Sequence, residues 1–396
     1  MPHVVDTNRL VLDGVIGRKE ADEIARRSRE TMVALTVNTV LCAGIIAATL
    51  GLVFWLADAL AVAIAGGIFL AVGLSVLVRG SELYRMLGNA AALIGAGMLI
   101  AGSGVELLQT YQPIADMVML IAGAAIAGLA WLGFARGDAK LRFATGAILL
   151  MGVAFHLTGL ALAFEHLDGW GQAVVFGYAS MLIAVAGYLV DVRVVTALAI
   201  VPFAQMLDTG TSYFHAAYVF YSPESTLTIL QMTALIGACV WVSTKSGDRL
   251  GRHAGILAIL AAVVGNLAFL VGSLWGDNVG ASLFDYPAYD TELTWQERRA
   301  EIEAFEAQFF HVSEHVFTVV WAILLAVGAF WAAHVNRRGL FNASIVFGGI
   351  HGYTQVFETL GDEPLAWALG GLDAIPLAWG MWRLNLHLAL RQVQAT

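Results

Sequence analysis

The chain has 396 residues, of which 59% are hydrophobic and 13% charged, with 42 glycines, a mean hydropathy of +0.75 and a formal net charge of −9. A soluble chain of this length would form two or three domains with about a quarter of its residues charged, so a soluble enzyme, a nucleic-acid binder and a disordered protein are excluded together. What remains is a polytopic membrane protein.

The first 31 residues carry six Lys/Arg and six Asp/Glu where a cleavable signal would need a short apolar stretch, so no cleavage is expected. Asp13-Gly14 marks a turn. Lys19 to Glu30 then reads as a short, highly charged cytoplasmic helix with Ile24 as its main large apolar residue, lying on the surface or capping a neighbour. Leu12-Asp13-Gly14-Val15-Ile16, followed by that charged helix and by apolar hairpins, resembles a class of bacterial multi-pass membrane proteins grouped as a domain of unknown function, over about the first quarter of the chain. The resemblance implies a bacterial inner membrane; it implies no activity and no site residues.

A hydrocarbon core ~30 Å thick is crossed by roughly 20 apolar residues. Twelve such stretches follow: 32–57, 59–78, 86–108, 114–135, 143–164, 170–190, 194–207, 225–243, 254–275, 312–335, 340–360 and 364–387. The seventh is short and contains Pro202, so it is expected to be either a full crossing or a broken, re-entrant element continuing through residues 213–221. Charge placement favours a crossing. With the N-terminus inside, 19 of the 21 Lys/Arg fall in cytoplasmic segments, and only Arg298 and Arg299 lie in a long outer loop; deleting the seventh crossing reverses that bias from Lys245 onward. The expected fold is therefore an all-α bundle of about twelve spans with both termini cytoplasmic. It comprises a cytoplasmic segment 1–31, spans one to nine over 32–275, an outer loop over 276–311, and three spans with a short tail over 312–396. Of the 30 acids, 20 lie on the outer side or within spans, which fits either solvated loop ends or an outer face that attracts cations. Cys42 and Cys239 both fall in apolar stretches at different depths, so a disulfide between them is not expected.

In the long loop, Thr294-Trp295-Gln296-Glu297 fits a capping box, and Trp295, Ile302, Phe305 and Phe309 can share a face. An amphipathic helix is expected, lying on the outer membrane surface or packed as a lid on its own chain.

Ionisable residues at membrane depth are costly and point to function. Asp373 sits about nine residues into the last stretch, ~14 Å deep, within Gly370-Gly371-Leu372-Asp373-Ala374-Ile375-Pro376, a setting suited to an interrupted helix. His351 lies at matching depth in the preceding stretch, each residue being eleven positions from a turn at Asp362, so a His–Asp contact holding a proton is expected. His351, Thr354, Gln355 and Glu358 recur at helical spacing and define a polar stripe that faces a cavity or a polar helix interface.

His311-Val312-Ser313-Glu314-His315 would, on a helix, place two imidazoles on one face to chelate zinc or another divalent metal, with Glu314 activating water. A third ligand would have to come from Glu306, His166, Asp168, Asp208, His215 or Glu358, and no spacing selects one. Glu106, Asp116, His156, Glu165, His166 and Asp168 cluster near the outer ends of spans three to five and suggest an outward-facing His/carboxylate vestibule. Haem fits less well, because no helix carries the paired histidines of a transmembrane cytochrome. No phosphate-binding Gly-rich loop is present, so nucleotide hydrolysis is not expected.

These residues point first to a proton- or cation-linked transporter without a resident cofactor, binding its ion through Asp373, His351, Gln355 and Glu358. Its partners would be the lipid bilayer, protons or cations, and a membrane protein or a second copy of the chain; nucleic acid is not among them. Two other classes stay open: a membrane-embedded metal-dependent hydrolase using His311, Glu314 and His315, and a non-catalytic accessory or assembly subunit.

Overall fold

The structure, a computed structural model, describes residues 7–56, 58–80, 84–167, 169–214, 217–284, 294–334 and 338–360, together with 364, 365, 368, 371, 372, 375, 379, 382 and 383. The described chain is predominantly helical and divides into two compact units, Met1–Glu165 and His166–Thr396.

In the first unit, α1 (Thr7–Leu12) ends at a turn in which Gly14 takes a left-handed φ of 69° and donates to the Val11 carbonyl at 3.1 Å. The charged segment that follows is not a separate short helix. It forms the start of α2 (Arg18–Leu56), 39 residues without interruption. No proline or turn pair lies between Arg18 and Leu56, and the charged turns are knit along the helix by Arg26 to Glu23 and Glu30 and by Arg27 to Glu23, at 2.7–2.9 Å. At ~1.5 Å per residue, α2 is about twice as long as a ~30 Å bilayer core is thick, its charged turns continuing directly into the first apolar stretch.

The unit continues with α3 (Ala59–Arg79), α4 (Arg85–Thr110), α5 (Gln112–Arg136) and, after a 3-10 turn at Ala139–Leu141, α6 (Arg142–Ala163). Asp58 caps α3 by accepting from the Ala61 amide at 2.8 Å, and Pro113 sits in the first turn of α5, where a missing amide hydrogen costs nothing. α3 packs on α4, α5 on α6, and α4 on α6. Glycines at seven-residue spacing, Gly66 and Gly73 on α3 against Gly95 and Gly102 on α4, put the backbones of that pair in contact: a Cβ at Gly95 would collide with the Leu70 amide. Gly123 and Gly159 do the same for α5 and α6. Small residues are what allow apolar helices to pack in lipid, where burial of apolar surface gives no preference for a neighbouring helix. Gly95→Val is therefore expected to cost ~2 kcal/mol or more, read as a lower unfolding temperature in detergent. Gly67→Val on the open side of α3, with no heavy atom within 4 Å of the added carbon, should unfold like the parent. Equal unfolding temperatures for the two variants would contradict the close packing.

The second unit contains α7 (Gly169–Val190), α8 (Arg193–Leu198) and α9 (Ile200–Gln205), followed by strands β1 (Gly210–Phe214) and β2 (Ala217–Tyr221). Next come α10 (Ser225–Lys245), α11 (Asp248–Trp275), β3 (Asp277–Val279), α12 (Trp295–Glu306), β4 (Phe310–Val312), α13 (Glu314–His334) and α14 (Arg338–Leu360). The two strand pairs, β1 with β2 and β3 with β4, are short antiparallel ribbons at helix ends, an addition to the all-α expectation. The last apolar stretch, 364–387, lies largely outside the described residues.

Eight described helices are long and apolar enough to cross a membrane: α3 to α7, α10, α11 and α13. They coincide with stretches two to six and eight to ten of the sequence. The seventh stretch is the break-containing pair α8–α9. Pro202 has no amide hydrogen for the Leu198 carbonyl, the helix tightens at Ala199, whose amide bonds the Thr196 carbonyl at 3.1 Å, and the Ser180 hydroxyl of α7 donates to the Ala199 carbonyl at 2.8 Å. Thirteen residues from Arg193 to Gln205 rise only ~20 Å. This short element lies along part of the antiparallel α10/α11 pair, with Thr196 beside His253 in the second turn of α11 and, in the turn after α9, Thr209 beside Thr228 in the first turn of α10. Between these ends Ile200 and Ala204 pack with Met232 and Ala261 in a buried cluster, flanked by Phe203, Leu235, Ile236, Leu260 and Val264. Cys239 of α10 is a buried free thiol.

In the long loop after α11 the capping box is formed: Thr294 and Glu297 bond reciprocally, and the Thr294 bonds hold the Glu297 carboxyl below its ordinary range. α12 stops at Glu306, so Phe309 lies beyond it. Phe305 and Phe309 pack on each other at 5.1 Å and Phe309 on Phe284 at 5.5 Å, whereas Trp295 at the other end stays exposed.

Candidate functional site

α11, α13 and α14 bring three polar side chains to one level of the second unit. Asn266 lies nine positions from the Trp275 end of α11 and His351 nine from the Leu360 end of α14, each ~14 Å from the helix end; Trp321 lies seven from the Glu314 end of α13, ~10 Å. The Trp321 indole N–H donates to Asn266 Oδ1 at 2.9 Å, and Asn266 Nδ2 donates to the Ala262 carbonyl at 2.7 Å. Trp321 is fully buried, stacks on Phe269 at 6.2 Å and receives the His351 ring edge-on at 4.9 Å. His351 Nδ1 is buried and has no hydrogen-bond partner among the described residues. Thr354 spends its hydroxyl on the Ile350 carbonyl at 2.8 Å, Gln355 is half-buried, and Glu358 is exposed near the end of the helix. Asp373 lies outside the described residues.

Two further groups of buried polar side chains occupy the ends of the α10/α11 pair, and neither was legible in the sequence. At the first turn of α10, Glu224 is completely buried and accepts from the Gly280 amide at 2.7 Å and the Ser282 amide at 2.8 Å, while Asp277 accepts from the Thr226 amide at 2.7 Å. The loop after α11 and the start of α10 thus hold each other through two carboxylates. Burial pushes the Glu224 carboxyl above its ordinary value, against the pull of its two amide donors. Behind it Thr209, Ser222 and Thr228 form a closed triangle of buried hydroxyls with sides of 2.7–3.2 Å. Only a single acid before an apolar run marks Glu224 in the sequence, and an acid at a helix start is commonplace. At the other end, His253, Asp191 and Thr196 meet from positions up to 62 residues apart.

The metal candidates are arranged differently from the sequence expectation. His311 belongs to β4, not to a helix: its strand pairs with β3, and its Nδ1 sits 2.8 Å from Asn278 Oδ1. α13 begins only at Glu314, so His311 and His315 do not share a helical face. His315 is exposed and lies 3.7 Å from Glu314. Among the described residues no group of three His, Cys, Asp or Glu is placed to hold a metal. Of the third-ligand candidates, Asp168 and His215 lie outside the described residues, and Asp208 accepts from Gln205 at 2.8 Å. His156, expected in an outer vestibule, is buried between α5 and α6 with Nδ1 2.8 Å from the Leu120 carbonyl, because Gly123 lets the two helices close on it.

Comparison with protein-family models, curated proteins and solved structures finds no match.

Proposed function

We propose that the chain is a proton- or cation-linked transporter of a bacterial inner membrane, with both termini cytoplasmic, in which His351 and Asp373 handle the ion and Gln355 and Glu358 line its approach. The observation that carries this reading is the polar track Asn266, Trp321 and His351, which ends on a buried imidazole nitrogen without a partner among the described residues. At such depth an ionisable group is costly and persists where it has a task. Depth along the sequence places Asp373 level with that nitrogen. The interrupted pair α8–α9 adds support, since broken helices at transport sites free carbonyls for ions. It packs against α10 and α11, and counting it as a crossing keeps the positive-inside bias of the sequence.

In proteoliposomes under an imposed proton or cation gradient, the parent chain should carry a flux that Asp373→Asn and His351→Leu each reduce by about tenfold or more. Full flux in Asp373→Asn would overturn the reading. Stoichiometric zinc lost from His311→Ala would favour the hydrolase instead, and a stable co-purifying protein without flux the accessory subunit.

A further inference from the structure

We propose that His253, Asp191 and Thr196 form a proton-binding site, separate from the His351 level, that sets how firmly the start of α8 is anchored to α11. The ligand is a proton taken from water on the Asp191 side.

His253 is 2% exposed and stands in the second turn of α11, before the apolar stretch 254–275. Each ring nitrogen meets a side chain from a different part of the chain. Nε2 lies 3.0 Å from Asp191 Oδ1, in the turn between α7 and α8, and Nδ1 lies 2.6 Å from Thr196 Oγ1 on α8. Asp191 reaches this position by adopting a left-handed φ of 57°, a conformation that costs an L residue without a compensating contact. Its carboxylate is about half exposed, so it connects the buried ring to water. Thr196 is itself buried, against Gly187 of α7, where no side chain intervenes. The imidazole therefore bridges a water-facing carboxylate and a dry hydroxyl across three elements.

In the neutral ring Nε2–H donates to Asp191 and Nδ1 accepts from the Thr196 hydroxyl. A proton added at Nδ1 turns that nitrogen into a donor. The Thr196 oxygen then accepts from it, its own hydrogen rotating about the Cβ–Oγ1 bond away from the ring. One proton is taken up, one hydroxyl reorients, and no covalent bond changes. The Thr196 contact becomes charge-assisted and the Asp191 contact, charge-assisted already through its carboxylate, becomes an ion pair, so acidification tightens the joint and alkalinisation loosens it.

The surrounding charges bear on that uptake in both directions. Asp191 favours it. Arg249 and Arg252, at 3.5 and 3.9 Å from Asp191, oppose it, and Arg249 also donates to the Tyr188 and Leu189 carbonyls at the end of α7. Tyr188 presents its ring to His253 at 5.6 Å without charge. Arg193 opens α8, Lys245 closes α10, Asp248 opens α11, and exposed His334 closes α13 at this end. The His253 bond, helped by the two arginines, holds the Asp191 carboxyl below its ordinary range, so the acceptor stays ionised while the ring takes up its proton.

The test uses the full chain in detergent, labelled with nitrogen-15 histidine and titrated from about pH 5 to about pH 9, His253 being assigned by the signals lost in His253→Gln. Its Nδ1 should pass from acceptor to protonated, and Asp191→Asn should weaken that uptake. Amide exchange over residues 191–199, corrected for intrinsic rates, should slow several-fold on the protonated side, and His253→Gln should lack this dependence. A constant His253 signal, or the same exchange profile in His253→Gln, would overturn the proposal. Should His253→Gln fail to fold, His253 is assigned as the histidine whose signals Asp191→Asn displaces, and the parent and Asp191→Asn titrations decide. None of these readouts is a flux, so they stand or fall independently of the transport reading.

Discussion

Glu224→Ala is expected to destabilise the second unit by about 3 kcal/mol, the largest loss from any single carboxylate among the described residues. The side chain is fully buried and its two oxygens satisfy the amides of Gly280 and Ser282. Alanine would leave both half-buried amides without their acceptor, each costing on the order of 1–2 kcal/mol. The loop cannot easily turn away, because Gly280 holds a left-handed φ of 87° and the neighbouring Asp277 is fastened to the Thr226 amide. Glu224→Gln keeps one acceptor oxygen and should lose roughly half as much. The sign of the pH dependence follows from burial. A carboxyl whose folded value is raised contributes stability that is fully present below its ordinary range and is lost as pH rises through the raised value. Thermal unfolding in detergent, with amide exchange over residues 277–284, measures both effects. Unchanged unfolding together with protected Gly280 and Ser282 amides in Glu224→Ala would show that the clasp holds nothing.

Trp321→Ala should cost about 4 kcal/mol, because a wholly buried indole is replaced by a cavity beside Phe269 and His351. Trp321→Phe separates packing from polarity. The ring can keep its stack on Phe269, but Asn266 Oδ1 loses its donor, an expected loss of ~1–2 kcal/mol. A flux reduced in Trp321→Phe well beyond its stability loss would tie the indole to the orientation of His351. A flux equal to the parent's would confine Trp321 to packing.

Much of the helical framework is read from local chemistry. The capping box at Thr294, the turn at Gly14 and the break before Pro202 each depend on residues within about four positions of one another, and all three are present in the fold. Where a local rule lacked a local stop signal, it misplaced the boundary: the charged turns of α2 read as a separate helix only because their charge ends at Glu30, while the backbone continues to Leu56. The His311 pattern failed for the complementary reason. Its helical spacing assumed a helix, but β4 is claimed by a strand partner 33 residues earlier.

The sequence by itself marks this chain as a membrane protein and shows which stretches are apolar enough to cross, because transfer into lipid is an additive property of neighbouring side chains. Tertiary structure decided the partners. Asn266 with Trp321, Asp191 with His253, and Glu224 with Gly280 and Ser282 are 55 or more residues apart, and whether they meet depends on the rotation and register of packed helices. Hydropathy is blind to both. Glycine contacts and buried hydrogen bonds between helices set them, since lipid solvates every apolar face of a helix about equally well.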